Sequence, residues 1–92
     1  MIKANEYFDG NVKSIGHEVK GQSFTVGIME PGDYSFGTTT EEIMEVVFGE
    51  MDVVLPDGTA KIYSKGESFT VPANKEFKVT AKDPVSYICL YK

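Results

Sequence analysis

The sequence predicts an all-β protein, a single domain spanning residues 1–92, built as a sandwich or closed barrel. Three observations carry this. Apolar residues alternate with polar ones at a period of two in several short runs. Gly, Pro, Asn and Asp clusters punctuate those runs at short intervals, and no stretch sustains the 3.6-residue period of a helix. Ninety-two residues support one core only, because a chain this short buries roughly two-thirds of its extended surface.

From the N-terminus, Asn5 to Phe8 run into Asp9-Gly10-Asn11, a turn by its left-handed-tolerant residues. Tyr7 and Phe8 read as plugs over a barrel end or at an interface rather than as a binding feature. Val12 and Ile15 mark a short strand expected to end at Gly16, which places His17, the only histidine, in a glycine-flanked hairpin loop. A lone histidine without converging partners reads as solvated surface. Phe24, Val26 and Ile28 alternate with Thr25, Gly27 and Met29, a strand with one apolar face. Pro31-Gly32 turns the chain. Tyr34, Phe36 and Thr38 then share one face, and Gly37 suggests a bulge or a close backbone approach. Ile43–Phe48, Met51–Leu55, Ala60–Tyr63, Ser68–Val71, Phe77–Ala81 and Val85–Tyr91 are the remaining strands, separated by turns at Gly49-Glu50, Pro56-Asp57-Gly58, Lys65-Gly66, Pro72-Ala73-Asn74 and Lys82-Asp83-Pro84.

Composition narrows the function. Net charge is −5, the pI is near 4.7 and there is no arginine, so the basic footprint of a nucleic-acid binder is missing. Phosphate recognition would fall to Lys, hydroxyls and backbone N–H groups. The single cysteine, Cys89, cannot close an intrachain disulfide and suits a reducing compartment. No apolar run reaches membrane-spanning length, so the expectation is a soluble cytoplasmic protein. A histidine-rich metal site cannot be assembled from one His and one Cys. In the strand V-S-Y-I-C-L-Y, Cys89 reads as a small buried thiol rather than a nucleophile.

Polar chemistry concentrates between Gly32 and Gly49, where hydroxyls at Thr38, Thr39 and Thr40 precede acids at Glu41, Glu42 and Glu45. Alternation places Glu42 with Met44 and Val46, and Glu41 and Glu45 with Ile43 and Val47. Either face could point inward. Tyr34, Phe36, Phe69, Phe77 and Tyr87 form either an aromatic-lined cavity or ordinary core.

Gly32, Glu42 and Gly49, with Gly66 and Pro72 in a later segment, resemble the paired motifs of the cupin family. Phe36, Thr38 and Phe77 stand near the places of the metal-binding histidines. The resemblance implies a jelly-roll-like β-barrel with Glu42 directed into its bowl. It narrows through N-E-Y-F-D-G-N-V-K-S-I at Asn5–Ile15, G-x-Y-x-F-x-T at Gly32–Thr38, E-x-M at Glu42–Met44, V-V-L-P-D at Val53–Asp57, F-T-V-P-A-N at Phe69–Asn74 and S-Y-I-C-L-Y at Ser86–Tyr91. These pieces together resemble the bacterial pyrimidine/purine nucleoside phosphorylase family across essentially the whole chain. Thr38-Thr39-Thr40-Glu41 departs from the T-A-E-P-E-like stretch of that family.

What the resemblance implies is a homodimer that uses inorganic phosphate, and neither metal nor cofactor, to cleave many nucleosides into free base and ribose 1-phosphate. Departure of a base leaves an oxocarbenium-like sugar, so the site must hold ribose hydroxyls, place phosphate beneath C1′ and accommodate the base. On this reading Glu42 is the catalytic residue gripping the ribose. Thr38 and Lys13 bind phosphate, and Tyr34, Phe36, Thr38, Met44, Phe69, Phe77 and Tyr87 contact the nucleoside. The rival readings are a non-catalytic cupin that binds a sugar or nucleoside, and a metal-independent sugar isomerase lacking the histidine base that such chemistry favours.

Overall fold

A computed structural model describes residues Met1–Lys92. Ten antiparallel strands form two facing sheets: β1 (Lys3–Tyr7), β2 (Val12–Val19), β3 (Gln22–Met29), β4 (Gly32–Gly37), β5 (Glu42–Phe48), β6 (Glu50–Val54), β7 (Ala60–Ser64), β8 (Ser68–Val71), β9 (Glu76–Ala81) and β10 (Val85–Tyr91). One sheet has the order β1-β2-β3-β10-β5-β8 and the other β4-β9-β6-β7. Their inner faces enclose one core, in which Val12, Met29, Met51, Val53 and Val71 are fully buried. This is the cupin-type β-barrel anticipated above, and from β3 onward its strands stand close to where alternation and turn residues placed them.

Two local expectations are corrected. The strand from Val12 does not end at Gly16 but continues to Val19, so His17 lies within β2, opposite Phe24, rather than in a loop. The reversal is made instead by Lys20 and Gly21, both with positive φ (49° and 82°), the geometry that two-residue hairpins prefer because it matches strand twist. Gly37 makes no bulge, since Phe36 and Gly37 pair in unbroken register with Phe77 and Glu76. The register shift falls between Ser86 and Tyr87, where β10 meets β5.

β3 alternates as its sequence predicts. Its apolar set faces outward: Ile28 is 57% exposed and Val26 is exposed as well, whereas Thr25, Gly27 and Met29 point inside. Alternation identifies two faces, not which of them is interior. Within β3 the inner set is the less apolar one, because Thr25 and Gly27 lie beside Cys89 and Tyr87 of the cavity wall.

Candidate active site

The cavity measures about 470 Å³, within the range of about 300–1,000 Å³ usual for small-molecule pockets. It has two unlike walls. The six-stranded sheet contributes Ser14 from β2, Glu42 and Met44 from β5, and Tyr87, Cys89 and Tyr91 from β10. Facing them are Phe36 from β4 and Phe77 from β9, with Tyr7 and Phe8 at the rim. One wall offers hydroxyls and a carboxyl, the other aromatic rings.

The polar wall follows from cross-strand register. Tyr87 sits opposite Gly27, which in turn sits opposite Ser14, and Cys89 lies between Thr25 on one side and Met44 on the other. All of these point inward. Gly27 is small for a reason: a Cβ there would lie 2.6 Å from the Tyr87 ring end and hydroxyl and 2.9 Å from the Lys13 carbonyl. The missing side chain lets the Tyr87 ring lie flat across the sheet.

Glu42 is half-buried at the end of β5. Burial raises its carboxyl above the ordinary value, and the Cys89 thiol opposes that shift by donating to Oε1 at 3.4 Å. The consequence for Cys89 is the reverse. Burial, reinforced by the Glu42 charge, pushes the thiol up to about 12, so it stays protonated at neutral pH and acts as a donor to Glu42. Burial likewise pushes Tyr87 up to about 12. It raises Tyr91 as well, and the Tyr91 hydroxyl shares a hydrogen bond with Thr25 Oγ1 at 3.0 Å. At neutral pH this wall therefore holds a cluster of O–H and S–H groups around the carboxyl of Glu42.

The aromatic wall is a chain of rings. Phe36 stacks on Phe77 with centroids 5.5 Å apart and planes 28° from parallel, and Phe77 meets Phe69 edge-on at 5.9 Å. Phe69 in turn packs on Tyr63 at 4.7 Å, deeper in the core.

Of the residues singled out from sequence, Glu42, Met44, Phe36, Phe77 and Tyr87 all line the cavity. Four others do not. Tyr34 is buried beside the cavity and its hydroxyl donates to the Glu30 carbonyl at 2.6 Å. Phe69 lies behind Phe77. Thr38 is committed to the framework: its Oγ1 donates to the Pro72 carbonyl at 2.6 Å and accepts from the Lys75 N–H at 3.1 Å, which pins the end of β4 to the turn between β8 and β9. Lys13 points to the opposite face of the six-stranded sheet, where it lines a shallow groove with Glu6, Ile15, Ile28 and Glu30. Neither assigned phosphate ligand reaches the cavity, whose lining contains no Lys or His. Ser14, Met29, Ser35, Cys89 and Tyr91 also line the cavity without having been singled out, and so do Tyr7 and Phe8, which sequence alone reads as plugs. Period-two alternation from Tyr87 reaches Cys89 and Tyr91 and would have found them once the inner face was known.

No three His, Cys, Asp or Glu side chains converge anywhere in the fold, and no helix is long and apolar enough to cross a membrane.

Comparison with known proteins returns one family. The model of a family described as pyrimidine/purine nucleoside phosphorylase matches residues 2–91. A protein of that name from Aeromonas salmonicida is 51% identical over 90 residues, covering 97% of this chain and 96% of its own. Another from Pseudomonas syringae pv. syringae is 45% identical with both chains covered in full. Among solved structures, a Vibrio parahaemolyticus protein of unknown function superposes with a TM-score of 0.96 at 44% identity, over 100% of this chain and 99% of that one. An RmlC-like cupin from Shewanella frigidimarina superposes at 0.79 with 18% identity, over 97% and 81% of the two chains, a likeness of fold.

Proposed function

The chain belongs to the pyrimidine/purine nucleoside phosphorylase family, and we propose that it cleaves purine and pyrimidine nucleosides with inorganic phosphate, releasing free base and ribose 1-phosphate. The observation that carries the assignment is the pairing of unlike walls across one cavity, a carboxyl and hydroxyl face opposite a face of stacked rings. A nucleoside has the same division, a polar sugar joined to a planar heterocycle. Its orientation follows, with ribose toward Glu42 and base toward Phe36 and Phe77.

Glu42, as the carboxylate, accepts from the ribose hydroxyls, with the Cys89 thiol fixing Oε1. That grip tightens as positive charge develops at C1′, so it favours the transition state over the ground state. Phosphate attacks C1′ as the C–N bond breaks, and the electron pair leaves with the base. Without a cation in the lining, the anion is held by O–H and backbone N–H donors, Tyr87 and Ser14 among them. The apolar rings read no hydrogen-bond pattern on the base, which supports breadth across purines and pyrimidines. The reaction needs no cofactor or metal in this scheme, and its place is the cytoplasm.

A homodimer completes the proposal. Ile15 (53% exposed), Ile28, Val26 and Val47 gather on the outer face of the six-stranded sheet, an apolar groove that also carries Lys13 and the acids Glu6 and Glu30. Isologous pairing of two such faces would bury the aliphatic side chains and bring lysine of each copy toward acids of the other.

The activity is tested by incubating the protein with uridine, cytidine, adenosine and inosine, with and without phosphate, and measuring free base. Release that depends on phosphate supports the assignment. Binding without release leaves the non-catalytic reading in its place.

A further inference from the structure

Between β1 and β2 the chain turns through Phe8, Asp9 and Gly10, all with positive φ (52°, 57° and 88°). Gly10 is at home there, and Asp9 belongs to a type that tolerates it. Phe8 does not, because a bulky side chain in the left-handed region crowds its own backbone. Nothing in the turn itself asks for a ring, so the strain is explained by where the ring is put.

It stands at the cavity rim, with its centroid 5.0 Å from Tyr34 and 5.5 Å from Phe36, edge-on to Phe36 at 86°. Phe36 stacks on Phe77, so Phe8 extends the aromatic wall outward by one ring. Yet it is 43% exposed. A plug that merely closed the barrel would bury its ring. Instead a strained backbone holds an aromatic surface open beside a cavity.

We propose that Phe8 is the stacking platform for the base, a role that rests on the nucleoside reading of the cavity. A planar heterocycle slides against its open surface while the ribose reaches inward to Glu42. Stacking scales with ring area, so purines gain more from Phe8 than pyrimidines do, without any hydrogen-bond discrimination.

The chain has no tryptophan, so Phe8→Trp installs a single indole at the rim. Its fluorescence should be quenched saturably by adenine and, at higher concentration, by uracil, with no phosphate present. Phe8→Leu should raise KM for inosine about tenfold and for uridine less, leave kcat within about twofold, and be rescued by Phe8→Tyr. Phe8→Asn, which relieves the left-handed strain, should unfold at the same or a higher temperature than the natural protein while losing affinity. Unchanged KM values in Phe8→Leu, alongside normal turnover by the natural chain, would overturn the platform and leave the activity standing. An indole blind to both bases would overturn it too. Failure of the natural chain to release base from any nucleoside would sink the activity, and the indole titration would still decide the platform.

Discussion

Glu42 and Gly27 carry the site at the scale of single residues, one by charge and the other by what it lacks. Because burial raises the Glu42 carboxyl in the folded state, the protein binds this proton more tightly when folded than when unfolded. The group's contribution to stability is therefore greatest below the unfolded pKa and declines as pH rises through the folded one. Two results should follow for Glu42→Gln. At neutral pH its thermal midpoint should be no lower than that of the natural protein, while kcat/KM for uridine phosphorolysis falls about a hundredfold. In the natural protein kcat/KM should decline on the acid side with a midpoint above the ordinary glutamate value, since the carboxylate is the gripping form. Gly27→Ala acts differently. Its Cβ would meet both the Tyr87 ring and the Lys13 carbonyl, one of them backbone, so overpacking should cost about 1–3 kcal/mol in denaturant unfolding. The displaced ring should also raise KM.

At the scale of strands and turns, local patterning was legible and orientation was not. The turns at Pro56-Asp57-Gly58 and Pro72-Ala73-Asn74 fall where their residues put them, with Gly58 and Asn74 both at positive φ. Alternation separated Glu42, Met44 and Val46 from Ile43, Glu45 and Val47 correctly, but only the likeness to cupins chose the inner set. In β3 alternation found the two faces but not which of them is interior, since the outer face there carries Val26 and Ile28. Thr38 shows a second limit. A hydroxyl beside the motif looked free for phosphate, whereas long-range pairing with Pro72 and Lys75 engages it, and such pairing has no trace in neighbouring sequence. Thr38→Val should therefore strip the Pro72 carbonyl and the Lys75 N–H of that partner and cost about 0.5–1.5 kcal/mol. KM for phosphate should not move.

For the whole molecule, fold and family were both readable from 92 residues, since spaced glycines, turn residues and short motifs run the length of the chain. The phosphate ligands were not. Lys13 lies inside the matched V-K-S-I piece, yet it sits behind the wall that holds the cavity, in the groove proposed for the dimer. If the proposed dimer forms, Ile28→Lys, placed in that groove, should convert it to a folded monomer in light scattering, with circular dichroism unchanged. An acidic molecule with no cation in its site does not attract phosphate from a distance. Short-range donors have to make the binding, which accords with a wall crowded with O–H and S–H groups.

In the proposed reaction phosphate, bound in this cavity, takes the ribosyl group. Mass balance of the products tests that most directly. With inosine and phosphate, hypoxanthine and ribose 1-phosphate should appear in equal amounts, each matched by phosphate consumed. Free ribose in place of ribose 1-phosphate, with phosphate untouched, would contradict it.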